Sequence, residues 1–158
     1  MSIKDFLFGK KILIKDDFFG DLESNRTKKR DDMDLPWYSY YQIGKFSEKT
    51  LICADGNYLG INKLEKERLV YFVKNYENEF IPKIDLFFQS DEKFLKLLNT
   101  WKSDYYISSI FPNDYPNERL SFDIEFESYK NSKSIFSFEL IDRNLTDFYS
   151  NDPSLKMT

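Results

Sequence analysis

The clearest pattern in the chain lies toward its C-terminal end. Leu120, Phe122, Ile124 and Phe126 alternate with Ser121, Asp123, Glu125 and Glu127. A period of two places the apolar set on one face of a strand and the polar set on the other. Phe136, Phe138 and Leu140 repeat the pattern with Ser137 and Glu139 between them, and Tyr129-Lys130-Asn131-Ser132-Lys133 supplies a polar hairpin loop. If Ser128 faces Ser134, then Phe126 faces Phe136, Ile124 faces Phe138 and Phe122 faces Leu140. The same register sets Asp123 opposite Glu139, with Glu125 and Glu127 beside them. Like charges directly across a ladder are destabilising. Such a register therefore needs an offset from solvent, from a Lys or Arg on a neighbouring strand, or from a basic partner.

The N-terminal third also reads as strands. Phe6, Phe8, Ile12 and Ile14 fall in a first strand region over residues 6–15, with Gly9-Lys10-Lys11 as a candidate turn. Phe18-Phe19-Gly20-Asp21-Leu22-Glu23 is a candidate second strand. Residues 24–35 contain almost nothing apolar and are expected to form an exposed loop, basic over 26–30 and acidic over 31–34. The aromatic run from Trp37 to Phe46 suits a strand. Leu51 to Ala54 is its hairpin partner, Ser47-Glu48 sits at the tip, and Asp55-Gly56-Asn57 is the turn that ends it.

In the middle of the chain the period changes. Ile61, Leu64, Leu69, Phe72, Val73, Tyr76 and Phe80 recur at helical spacing. Asn62 followed by Glu65 suits a capping box. Pro82 is expected to end or kink this helix, with residues 83–89 restarting it. Ser90 is expected to cap a further helix whose stripe is Phe94, Leu95, Leu97, Leu98 and Trp101. Stripes at this spacing read as core rather than as a ligand cavity. Residues 111–119 read as a loop by composition, and the tail after Tyr149 as frayed. The sum predicts an α+β domain over residues 1–150 with a tail over 151–158. Its sheet is mainly antiparallel, with two or three helices packed on one face.

Composition narrows the chemistry. The 158 residues include no His and one Cys. That removes Ser-His and Cys-His nucleophilic pairs, His-based acid/base catalysis and the commonest zinc ligand sets. Cys53 lies in an apolar run and reads as a buried, inert thiol. No phosphate loop, dinucleotide fingerprint or serine elbow is present. Asp16, Asp17 and Asp21 resemble a calcium loop only loosely, because the glycine and terminal Glu of an EF-hand are missing. No catalytic residue, metal ligand or cofactor is assigned. The carboxylate clusters keep a carboxylate- or metal-dependent enzyme as an alternative. Edge pairing through the terminal hairpin keeps a structural oligomerising module as another. A net charge of −4 argues against direct nucleic-acid binding. No apolar run has the length that secretion or membrane spanning needs, so the expected location is cytoplasmic, away from membranes.

At Phe19-Gly20-Asp21-Leu22, at Tyr41 through Cys53 and at the helix opening at Asn62, the chain resembles a loose group of small bacterial domains. The likeness covers roughly residues 12–142. Members of that group accompany polymorphic or contact-dependent growth inhibition toxins, and some look like the cognate immunity proteins. The resemblance implies a cytoplasmic immunity-type protein, monomeric or weakly dimeric, that neutralises a cognate toxin domain by occlusion. Many such toxins are nucleases or other basic proteins, toward which an acidic inhibitor is steered. The steering candidates are Asp16, Asp17, Asp21, Glu23, Asp31, Asp32, Asp34, Asp123, Glu125, Glu127 and Glu139. Trp37, Tyr38, Tyr40 and Tyr41 are the candidate aromatic anchors, with at least alternate members expected in the core.

Overall fold

The alternating segments pair into a single sheet. The computed structural model describes residues 10–26, 35–114, 120–152 and 155. Among them the strands are β1 (Lys10–Asp16), β2 (Gly20–Arg26), β3 (Leu35–Tyr41), β4 (Thr50–Asn57), the two-residue β5 (Gly60–Ile61), β6 (Tyr105–Asp114), β7 (Leu120–Ser128), β8 (Ile135–Ile141) and β9 (Asn144–Ser150). Their order is β1-β2-β3-β4-β6-β7-β8-β9, with β5 paired to β4. All neighbours are antiparallel except β4 and β6, which are parallel at Leu51–Ser109 and Ile52–Ile110. Two antiparallel meanders are thus joined along one parallel seam. Parallel neighbours need a long crossover, and the helical segment between β5 and β6 supplies it. The architecture is α+β with a mainly antiparallel sheet, as the periodicity predicts.

The terminal hairpin adopts the register that its side chains require. Phe126 pairs with Phe136, Ile124 with Phe138, Phe122 with Leu140 and Asp123 with Glu139. The Ser128 amide donates to the Ser134 carbonyl at 3.1 Å. The apolar face packs under the helices, where Phe126 stacks on Phe136 at 4.8 Å and Phe88 meets Phe94, Trp101, Phe136 and Phe138. Burying one such ring is worth roughly 1.5–3 kcal/mol, and each well-placed ring pair adds about 0.5–1.5 kcal/mol.

The helices depart from expectation in three places. α1 (Lys63–Asn75) does not stop before Pro82. It widens into a π-helical turn over Tyr76–Phe80 and runs on as α2 (Ile81–Gln89), with the Ile81 amide donating to the Tyr76 carbonyl. The wider turn accommodates a residue that has no amide hydrogen to give. The capping box does not form, because the Asn62 side chain makes no cap bond. The buried Glu65 instead accepts from the Asp55 amide at 2.9 Å and fastens the start of α1 to β4. Ser90 closes α2 by donating to the Phe87 carbonyl, and Asp91 caps the next helical segment. That segment is broken into a 3-10 turn (Glu92–Phe94), α3 (Leu95–Leu98) and α4 (Trp101–Asp104). Phe94, Leu97 and Trp101 are buried as expected, whereas Leu95 is exposed.

Several strand boundaries also move. Lys10 and Lys11 belong to β1 rather than to a turn, and the β1–β2 turn lies at residues 17–19. Residues 24–26 extend β2 and Leu35 opens β3, so both ends of the expected loop are strand. β4 continues through Asp55-Gly56-Asn57 and turns at Tyr58-Leu59. Gly56 is required there, since a Cβ would collide with the Gly60 carbonyl. Phe111 to Asp114 extend β6. Pro112 is tolerated in that strand because β4 no longer pairs with it beyond Ile110. In the tail, the Asn151 amide donates to the Ile135 carbonyl and Leu155 packs against the core. Phe6, Phe8 and Gly9 lie outside the described residues. Among the described residues no helix is long and apolar enough to cross a membrane.

Candidate functional site

The helices cover one face of the sheet, and strand alternation brings the chemistry-bearing side chains to the other. On the C-terminal meander (β6 to β9) that outer face carries Asp123, Glu125 and Glu127 along β7 and Glu139 on β8. The like-charge contact anticipated from the register is relieved by neutral donors. The Asn113 amide nitrogen donates to Glu139 at 2.8 Å and to Asp123 at 3.3 Å, and the Thr146 hydroxyl donates to Glu139 at 3.0 Å. Ser108 and Ser109 donate to Glu125 at 3.2 and 3.3 Å, and the Tyr106 phenol donates to Glu127 at 3.1 Å. Hydroxyls and amides satisfy oxygen lone pairs without cancelling charge. Among the described residues no Lys or Arg forms an ion pair with Asp123, Glu125 or Glu127, so the row stays acidic.

The field of this row reaches its neighbours. Burial raises the Asp123 carboxyl above the usual aspartate range, and the Asn113 hydrogen bond only partly opposes it. The Tyr106 phenol is pushed up to about 12 by burial, then by its bond to Glu127 and by that carboxylate's charge. Exposed Tyr149 is raised mainly by Asp147, then by burial, Glu139 and Asp123.

The N-terminal meander (β1 to β4) presents a different outer face. Leu13 and Tyr40 are 67% and 62% exposed; half-buried Tyr38 shares β3 with Tyr40, and half-buried Leu51 stands opposite Tyr40 on β4. Among the described residues β2 and β3 pair only at Glu23–Tyr38. Where they splay, Leu13, Tyr38 and Tyr40 border a shallow depression of about 440 Å³. Charge here is locally paired, Lys11 with Glu23 and Lys15 with Asp21 at 4.0 Å.

The expected site residues therefore divide. Asp123, Glu125 and Glu127 are brought together on the outer face. Glu139 joins them but is buried, so it supports the row from below and offers little surface. Trp37 is fully buried, with its indole donating to the Asn57 carbonyl at 2.8 Å, and it is withdrawn as an anchor. Tyr41 packs on Phe18 and Phe19. Asp16 is a structural group: its carboxylate accepts from the Phe18 and Phe19 amides at 2.8 and 2.9 Å and from Lys66 at 2.7 Å. Burial pushes the Asp16 carboxyl up, but Lys66 and those amides outweigh it and hold it below the usual range. Lys66 also meets Asp17, so an ammonium stands where a calcium loop would hold its ion. Asp31, Asp32 and Asp34 lie outside the described residues. Cys53 is buried as expected, its thiol pushed up to about 11 by burial and by Asp55 and Glu65. Among the described residues no group of three or more His, Cys, Asp or Glu is spaced to hold a metal ion.

Sequence reasoning misses Tyr106, Asn113, Thr146 and Tyr149, because composition hides β6 and β9 as strands. The outward positions of β6 run Tyr106, Ser109, Phe111 and Asn113, and a bulge between Ile107 and Ser109 breaks the alternation that would have revealed them. In β9 a bulge between Leu145 and Phe148, opposite Phe138 to Leu140 of β8, does the same.

A second polar cluster lies where α1 and α2 meet the β8–β9 turn. Tyr71 donates to Glu79 at 2.5 Å, Lys83 reaches Glu79 at 2.7 Å and Arg143 lies over the Tyr71 ring at 4.2 Å. Asp142 holds a left-handed φ of 56°, and Arg68 pairs with it at 3.1 Å. The cluster sets Arg68, Lys83 and Arg143 against Glu79 and Asp142, with Glu67 as a third carboxylate on the same cavity lining, and it reads as a clasp between helix and hairpin. Comparison of the chain with protein-family models, with curated proteins and with solved structures returns no match, so its function rests on the geometry of its own surface.

Proposed function

We propose that this protein is an immunity-type binding protein that neutralises a cognate bacterial toxin domain by occlusion, with the outer sheet face as its docking surface. The observation that carries the reading is what shares the outer sheet face, which no described helix covers: a carboxylate row on the C-terminal meander, and exposed Tyr40 and Leu13 on the N-terminal one. Aromatic and aliphatic anchors supply binding energy at an interface core. A charged flank supplies steering and orientation. The partner that fits is a basic protein, met in the cytoplasm. The carboxylates of β7 are bound by hydroxyls and an amide within a regular strand, an arrangement that suits display better than catalysis.

The test is to express the chain beside the C-terminal domain encoded by its upstream neighbour. Survival of the host and a stoichiometric complex are the expected results. Glu125→Lys with Glu127→Lys should slow association by about tenfold and flatten its salt dependence. With no His in the chain, binding should follow salt far more than pH between 6 and 8. A neighbour that is harmless, or that fails to bind, overturns the reading.

A further inference from the structure

A cavity of about 700 Å³ opens on the helical side of the sheet, where α1 and α2 meet the β8–β9 turn. Buried Phe72, Phe80, Phe122 and Leu140 close its floor. Leu64 also lines it and is 55% exposed, so it offers apolar surface to a ligand.

Three carboxylates and three cations share the lining. Every carboxylate is engaged. Glu79 accepts from Lys83 at 2.7 Å through one oxygen and from the Tyr71 hydroxyl at 2.5 Å through the other. Asp142 pairs with Arg68 at 3.1 Å. Glu67 pairs at 3.9 Å with Lys63, a cation from beyond the lining. Arg143 is left over. Its exposed guanidinium lies over the Tyr71 ring at 4.2 Å and has no carboxylate partner among the described residues. A guanidinium held against a ring still has its N–H donors to give. Two contacts fix the turn that carries it, Asp142 with Arg68 and the Lys83 ammonium donating to the Arg143 carbonyl. Neither uses the Arg143 side chain.

We propose that this cavity is a binding site for a small monocarboxylate with an apolar body, the carboxylate held by Arg143 and the body set against Leu64 and the apolar floor. A carboxylate matches the guanidinium fork and can accept two parallel N–H bonds from it. One unpaired cation calls for one negative charge. Glu67, Glu79 and Asp142 disfavour a second, as a phosphate monoester would bring. A cationic ligand would find those carboxylates already paired and would be repelled by Arg143. The site is separate from the outer sheet face, and its test needs no protein partner.

Phenylacetate is a suitable probe. Phenylacetamide is its neutral counterpart, phenethylamine the cationic one, and acetate the headgroup without a body. Leucine methyl NMR reads the site at Leu64 and a control at Leu13 on the outer face. Phenylacetate is expected to move the Leu64 signals and leave Leu13 in place. It should bind about tenfold more tightly than phenylacetamide. Arg143→Gln, at an exposed turn position, should abolish that preference and leave the melting temperature nearly unchanged. Leu64→Ser should weaken the acid and the amide alike, by about threefold. Unmoved Leu64 signals, or a preference for the acid that survives Arg143→Gln, would overturn the proposal. So would binding of phenethylamine or acetate as tight as that of phenylacetate.

Discussion

The two meanders share one sheet and one helical cover, yet their outer faces follow opposite rules. On the N-terminal meander ion pairs join neighbouring strands across the outer face, Lys11 with Glu23 and Lys15 with Asp21, and apolar side chains are left out in solvent. On the C-terminal meander Asp123, Glu125 and Glu127 have no cationic partner among the described residues and accept hydrogen bonds from Asn, Ser and Tyr. One face offers contact area and the other offers field. Acidic residues of similar appearance in the sequence also do unlike work. Asp16 ties a hairpin to α1 through Lys66, whereas Asp123 sits beside Glu139 with only an amide between them.

The inner faces set the upper bound on this contrast. Phe138→Ala removes a buried ring that meets Phe87, Phe88, Phe126 and Phe148. Urea denaturation should show a loss of about 3–5 kcal/mol. A much smaller loss would mean that the C-terminal meander is not anchored by its aromatic core.

The two aspartates sharpen the contrast through opposite responses to acid. Asp16→Ala deletes two backbone hydrogen bonds and leaves Lys66 without its inner partner, which should cost about 1–3 kcal/mol at pH 7. The native Asp16 carboxyl titrates below its unfolded value. Its stabilisation is therefore fully present above the ordinary aspartate range and is lost as pH falls toward the native value. The deficit of the variant should shrink over that window in denaturation curves taken at successive pH values.

Asp123→Asn should act with the opposite sign and a smaller size. The native Asp123 carboxyl is raised, so its contribution is favourable below the unfolded value and is lost as pH rises through the native one. At pH 7 the variant should be more stable than the parent, and the gain should vanish on acidification. Parallel pH profiles for the two variants would erase the distinction between the meanders.

The smallest effect belongs to the exposed apolar pair. Leu13→Ser and Tyr40→Ser should each change stability by less than about 0.5 kcal/mol in thermal unfolding. These side chains lie in solvent, and a large loss would assign them to the fold rather than to a docking surface.

Much of the fold is legible because one physical signal dominates it. In the terminal hairpin a one-residue slip would turn Phe122, Ile124 and Phe126 to solvent, so burial alone selects the register. The helix carrying Leu69, Phe72, Tyr76 and Phe80 is equally plain. Legibility ends where local rules meet tertiary needs. Glu65 is drawn from a cap to the backbone of β4. Pro82 is absorbed by a π-helical turn over Tyr76–Phe80 that lets α1 run on into α2, a departure from helical spacing that periodicity does not announce. The candidate site is half readable, since alternation puts Asp123, Glu125 and Glu127 on one face but says nothing of which strand lies alongside.

The sequence by itself determined the class of the fold, the sheet pairing of the β7–β8 hairpin and, through the absence of His, a narrow range of chemistry. Those properties depend on spacing and side-chain type, which are local. Only the tertiary structure decided that β6 runs parallel beside β4 and that Asn113 and Tyr106 support the acidic row. The same holds for Trp37, which is core rather than surface, and for the Tyr76 hydroxyl, which is buried and has no partner among the described residues. Each of these depends on contacts between segments far apart in the chain, and burial and hydrogen-bond satisfaction are set by the whole assembly of elements rather than by any one of them.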